Sequence, residues 1–194
     1  MPARDDFASL RKVIELRRVG PDEFIGVLDT VLAIYTAAMR PPSDQISGRR
    51  GIMRNHATYP EFVCVLAESP EIIGFAYGFH GMPGQWWHDI VARSLTDQSG
   101  PLAADEWFGD ALEIAEIHVL PGHQGKGIGR RMIHAVCEGR PERTAVLSTH
   151  DAPTVARRLY RSIGFADLMT GFAFPGGRES YVIAGTKLPL APTS

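Results

Sequence analysis

Cysteine is nearly missing from this chain: its 194 residues hold two, Cys64 and Cys137. Two cysteines make no disulfide framework. Each sits in an apolar setting, Cys64 within Phe62-Val63-Cys64-Val65-Leu66 and Cys137 in a helical pattern, and each reads as a small buried hydrophobe. That usage suits a reducing, cytoplasmic setting. A long hydrophobic run is also missing, so no segment is expected to cross a bilayer or to bind membrane. The opening Met1-Pro2-Ala3-Arg4-Asp5-Asp6 is polar and acidic, and no signal peptide is expected. Basic excess is lacking: 20 Lys and Arg stand against 22 Asp and Glu, a formal charge of −2, so nucleic acid is not expected as a partner. Seven histidines are present, but there is no His-Glu-x-x-His motif and no paired-cysteine motif. His118 and His123 lie five apart across a turn, and no metal is expected. No repeat, low-complexity tract or linker divides the chain, which is read as one domain over residues 1–194.

What is present is an ordinary globular composition, 44% hydrophobic and 22% charged. Alternation predicts strands at residues 13–19, 62–67, 72–80, 111–119, 144–148, 166–174 and 181–188. Spacing of three and four predicts helices at residues 22–39, 43–59 (capped by Ser43 or Asp44), 85–95, 128–138 and 153–163. Residues 96–101 are expected to be a loop. Residues 81–110 carry all three tryptophans, Trp86, Trp87 and Trp107, and read as a variable insertion.

The chemistry concentrates where a strand gives way to a helix at Gln124-Gly125-Lys126-Gly127-Ile128-Gly129. Glycine lets a ligand approach the main chain, and a helix start offers unpaired N–H groups with partial positive charge. Together they suit phosphate or pyrophosphate, and Lys126, Arg130 and Arg131 add charge. A nucleoside triphosphatase loop fails on spacing, because its first glycine would be Leu120 and Gly127 stands where Ser or Thr should follow the lysine. A dinucleotide fingerprint fails at its last glycine, where Arg130 stands.

The remaining pattern is Gln/Arg-x-x-Gly-x-Gly/Ala. The segment Glu116-Ile117-His118-Val119-Leu120-Pro121-Gly122-His123-Gln124-Gly125-Lys126-Gly127-Ile128-Gly129-Arg130-Arg131-Met132 resembles the cofactor-binding core of the GNAT acyltransferases. A second block, Ala156-Arg157-Arg158-Leu159-Tyr160-Arg161-Ser162-Ile163-Gly164-Phe165, is similar to that family's Ala-x-x-Leu-Tyr-x-x-x-Gly-Phe helix. The blocks occur in the family's order, with one strand between them.

The resemblance implies an α/β fold with a central mixed, mainly antiparallel sheet flanked by helices, whose strands splay at the cofactor site. It implies acetyl-CoA as acyl donor and a small-molecule or peptide amine as acceptor, attacking the thioester directly. It places the main chain of Ile117, His118 and Val119 on the pantetheine arm. It places the amides of Gln124, Gly125, Lys126, Gly127, Ile128, Gly129 and Arg130 on the pyrophosphate, with Arg157 also grouped with the cofactor. Tyr160 is the implied acid for the leaving thiolate. Glu113 and Glu116, on the strand entering the loop, are the alternatives for the base, and residue parity sets them on opposite faces unless a bulge intervenes. His118 is a weaker alternative. Pro153 stands where the family often has Asn, which removes a side chain that often contacts the cofactor. Asp151, with His150 at a strand end, is expected to cap the following helix, with a substrate contact as the alternative. Arg49, Arg50 and Arg54 are expected to form a solvated face, on a helix that in relatives often borders the acceptor groove. Trp86 and Trp87 are read as acceptor pocket or core. Asp105, Glu106 and Asp110 are the acids to try for a polycation pocket. Relatives are often dimers, so a homodimer is open.

Overall fold

A computed structural model describes residues 13–191; the expectation for Met1–Asp6 lies outside the described residues. Seven strands form one sheet: β1 Glu15–Val19, β2 Val63–Ser69, β3 Glu71–Gly81, β4 Ala111–Val119, β5 Thr144–His150, β6 Ala166–Phe172 and β7 Tyr181–Lys187. Their spatial order is β1-β2-β3-β4-β5-β7-β6. Every neighbouring pair is antiparallel except β4 and β5. This is the mixed, mainly antiparallel sheet that the resemblance implies.

Side-chain alternation on the strands builds two faces. On one, Val65, Ala76, Leu112, Ile114 and Leu147 pack under α6 (Ile128–Cys137) and α7 (Val155–Ser162). On the other, Leu66, Phe75, Tyr77 and Phe79 pack under α1 (Pro21–Gly26), α2 (Leu28–Met39) and α3 (Ser43–His56). Further along, Ala111, Val146 and Ile183 pack under α4 (Trp86–Ser99) and α5 (Pro101–Phe108).

Three local expectations are corrected. Residues 96–101 are not a loop: α4 runs to Ser99, and only Gly100 separates it from α5, which Pro101 opens. Gly100 has no stable helical preference, and proline suits a first helical turn. The expected helix over residues 22–39 is two helices broken at Val27, beside Gly26. Neither Ser43 nor Asp44 caps α3; both lie inside it, behind Pro42.

Candidate functional site

Strand β4 is the spine of the site. Its pairing with β3 shifts register between Tyr77 and Gly78, so that Tyr77 faces Glu116 while Gly78 faces Ile114. Ala115 is therefore an extra residue, and two-residue alternation is reset across it. Leu112, Ile114, Ile117 and Val119 pack with the α6–α7 core, while Glu113, Glu116 and His118 line the cavity beside α2 and α3. The two carboxylates expected on opposite faces thus share one.

The close approach at the bulge needs glycine. A Cβ on Gly78 would stand 2.7 Å from the Glu113 carbonyl oxygen.

Beyond the bulge, β4 leaves its other neighbour. Parallel pairing with β5 covers only Ala111–Thr144, Leu112–Ala145 and Glu113–Val146, although β4 runs on to Val119 and β5 to His150. The two strands part there. One cavity of about 960 Å³ threads the gap, so Leu147, Ala156 and Tyr160 from one face share it with Glu113, Glu116 and Tyr35 from the other.

At the end of β4 a single 3-10 turn, Pro121–His123, leads into α6. Gly125 and Gly127 both have φ of 75°, the left-handed region that side chains disfavour, and open space lies over each. Gly127 occupies the cap position of α6 with no side-chain cap and no acid in the first turn. The first amides of α6 thus point outward without side-chain partners, at the positive end of the helix. Gln124 donates to the Val119 carbonyl at 2.9 Å, fixing the loop to β4. Lys126 reaches the Gly122 carbonyl, and Arg130 donates to Ser162 at 2.7 Å, tying α6 to α7. Arg131 turns away, donating to Ile14 at 2.9 Å.

Helix α7 carries Tyr160 into the cavity. Burial pushes its hydroxyl up to about 12, with the Glu116 charge a lesser cause in the same direction. The side chain that caps α7 is Thr154, which accepts from the Arg157 amide; Asp151, expected in that role, does not. Asp151 instead holds the Arg157 guanidinium at 2.6 Å and accepts from the Gly171 amide at 2.8 Å. Asp167 binds the same guanidinium at 2.8 Å. Arg157, grouped with the cofactor by its motif, spends its charge holding β5, α7 and β6 together.

Glu113 is 4% exposed, and its Oε2 finds no hydrogen-bond partner among the described residues. Desolvation alone pushes its carboxyl up to about 8. Glu116 differs completely. Its Oε2 lies 2.5 Å from His118 Nε2, and its Oε1 accepts from Arg49 at 2.9 Å. Tyr35 backs this trio, with Arg49 over its ring at 5.0 Å and the His118 ring edge-on at 5.2 Å.

Arg49 is therefore not part of a solvated face, whereas Arg50 pairs outward with Asp29 and Arg54 is exposed. Sequence reasoning also passed over His56, which contacts the Tyr77 hydroxyl at 3.0 Å; burial pushes its imidazole down to about 4, so it stays neutral. Nothing local in the sequence marked the inward turn of Arg49 or the place of His56.

Trp86 and Trp87 line the cavity, and Trp87 donates to Ser148 at 3.3 Å. Trp107 packs instead against Gly185 and under Lys187. Among the described residues no group of three His, Cys, Asp or Glu is arranged to hold a metal, and no helix is long and apolar enough to cross a membrane. Both cysteines are buried, and burial pushes both thiols up.

With this geometry in place, comparison with known proteins becomes specific. A model of the Acetyltransferase (GNAT) family matches residues 28–165. A GCN5-like protein acetyltransferase of Mycobacterium tuberculosis is 37% identical over 129 residues, 64% of this chain and 62% of that protein. N-alpha-acetyltransferase 40 of Saccharomyces cerevisiae is 34% identical over 112 residues, 51% of this chain and 34% of that protein. Each match thus spans less than two thirds of the relative's length. Among solved structures, Arabidopsis thaliana NAA60 in complex with a bisubstrate analogue shares the fold at a TM-score of 0.62 and 18% identity, over 91% of this chain and 99% of that one. The Salmonella typhimurium acetyltransferase yncA, solved with its cofactor acetyl-CoA, shares it at a TM-score of 0.58 and 16% identity, over 94% and 98%. A family model that matches residues 28–165, more than half of the sequence, establishes that the chain belongs to the GNAT acetyltransferase family.

Proposed function

We propose that this protein transfers an acetyl group from acetyl-CoA to a primary amine by direct attack. One observation carries the reading. β4 parts from β5 beyond Glu113 over a cavity lined by Tyr160 and Glu113, and the same strand leads through a single turn into an uncapped, glycine-bent helix start.

The residues fit the donor. The free amides from Gly125 to Arg130 match a pyrophosphate, and the open space over Gly125 and Gly127 leaves room for it. The unpaired edge of β4 at Ile117, His118 and Val119 offers backbone donors and acceptors to the amides of a pantetheine arm. Bound acetyl-CoA supplies an activated thioester carbonyl, so no enzyme nucleophile is required.

Glu113 takes the proton from the incoming ammonium. It is buried, its Oε2 is unpartnered, and its affinity for a proton near neutrality matches the work of a base. Tyr160 remains protonated at working pH and donates to the departing sulfur. Glu116 is tied to Arg49 and His118 and holds the cavity wall in position. The rest of the rate derives from proximity, worth up to about 7–11 kcal/mol for well-aligned reactants.

A second reading concerns the acceptor. The Mycobacterium tuberculosis relative carries a name that specifies protein acetylation, which favours a polypeptide amine over a free metabolite. The test for the main reading is thiol release from acetyl-CoA in the presence of a broad amine panel. Release that depends on amine supports transfer. Tight coenzyme A binding with no release from any amine would instead identify a silent acyl-CoA-binding module.

A further inference from the structure

The acceptor side of the cavity has a composition that selects its ligand. Trp86 is 59% exposed and stacks on Phe174, centroids 5.6 Å apart with the planes at 27°. Phe174 meets Tyr181 edge-on at 5.1 Å, and Tyr181 stacks on His150 at 5.0 Å. Three distant segments, the start of α4, the stretch before β7 and the end of β5, are thus joined into one aromatic wall. Across the mouth, α2 and α3 present Met39 and Ile52, 45% and 44% exposed. A concave rim of exposed aromatic and aliphatic side chains marks a binding surface.

Charge at the same cavity is sparse. Among the described residues, Glu113 and Glu116 are its lining carboxylates, and Arg49 is its one Lys or Arg. Glu116 is held by Arg49 and His118, and Glu113 lies at depth. The acids expected for a polycation pocket lie elsewhere: Glu106 binds Lys187 at 2.8 Å, Asp110 faces Arg143 at 3.6 Å, and Asp105 packs beside Gly109. Glu179, off the cavity lining, accepts from the Tyr181 hydroxyl at 2.8 Å. A ligand's reacting amine meets Glu113, but a second ammonium on it would find no unpaired carboxylate among the described lining residues and would lose hydration without replacement.

Resting on the acetyl-transfer reading, we infer that the acceptor is a single primary amine borne on an apolar or aromatic stem, and that the Trp86–Phe174 wall selects it against polyamines. The stem's chemistry is common to a small aryl-alkyl amine and to an amine flanked by an apolar side chain on a polypeptide.

The test is amine binding to the full chain saturated with coenzyme A, followed by tryptophan fluorescence and calorimetry. The probes are 2-phenylethylamine, a tripeptide with a free N-terminal phenylalanine, and spermidine. The inference requires both aromatic probes to bind at least 10-fold tighter than spermidine; the tighter of the two identifies the source. Trp86→Ala and, separately, Phe174→Leu should each cut that preference at least fivefold, while the heat of coenzyme A binding, read as the folding control, persists. Spermidine binding as tightly as either probe, or a preference untouched by both substitutions, would overturn the inference. Thiol release by the same amines reports separately on transfer itself, so binding selectivity without release would sink the enzymatic reading alone.

Discussion

Glu113 and Glu116 face one cavity because β4 holds an extra residue, Ala115, opposite the Tyr77–Gly78 step of β3. Three residues apart on a regular strand they would point opposite ways. On the shared face their environments diverge: one carboxyl is buried, its Oε2 without a hydrogen-bond partner among the described residues, and the other is bound on both oxygens. The bulge places a group able to exchange a proton beside one held in position.

Glu113→Gln tests the first role. The carboxyl rises from an ordinary 4.5 to about 8 through burial. Activity of the native protein should climb with pH, reach half its maximum near 8 and level off above it. The variant should lose that limb and about 10²–10⁴-fold in kcat/KM. Retention of the limb in Glu113→Gln would assign the proton to another group.

The same shift makes a stability prediction of definite sign. The folded state holds this proton more tightly than the unfolded chain, so its contribution is fully present below about 4.5 and is lost as pH rises through about 8. Glu113→Gln should therefore have a higher Tm than the native chain at pH 8, by several degrees, with the gap closing toward pH 4.5. Thermal melts at the two pH values check it.

Tyr160→Phe should lower kcat about 10–100-fold with little change in KM for the donor. Its hydroxyl, pushed up to about 12, remains protonated throughout the assay range, so the native profile should show no tyrosine titration near neutrality. Unchanged turnover in the variant would remove the acid role.

Arg49→Met should destabilise by about 2 kcal/mol, because Glu116, 9% exposed, loses its countercharge. Arg49→Met with Glu116→Gln should recover most of the loss, since both members of the pair are then neutral. Denaturant unfolding of the two variants separates pairing from packing.

Much of this site was legible in the sequence, and the reasons are local. The glycines at 125 and 127 announce a helix start that needs left-handed backbone, and Leu159, Tyr160, Gly164 and Phe165 mark α7. The order of strands followed from alternation. What escaped depends on partners. Ala115 becomes a bulge only through its register against β3. Arg49 turns inward because α3 lies over Glu116, a relation no helical spacing encodes. Arg157 belongs to a cofactor motif by position, yet Asp151 and Asp167, on either side of α7 in the chain, claim its charge. Helix α5 was hidden because residues 96–99 read as polar loop, while a single glycine does the breaking.

The account stands most directly on the amides at the start of α6, and calorimetric titration of coenzyme A into the native chain and into Gly127→Ala measures them. A methyl at φ of 75° costs about 1 kcal/mol and projects into the open space proposed for the pyrophosphate. The predicted result is saturable heat with one site per chain in the native protein and affinity at least 10-fold weaker in the variant, with both chains folded by circular dichroism. No heat in the native protein, or equal affinity in the two, would contradict the account.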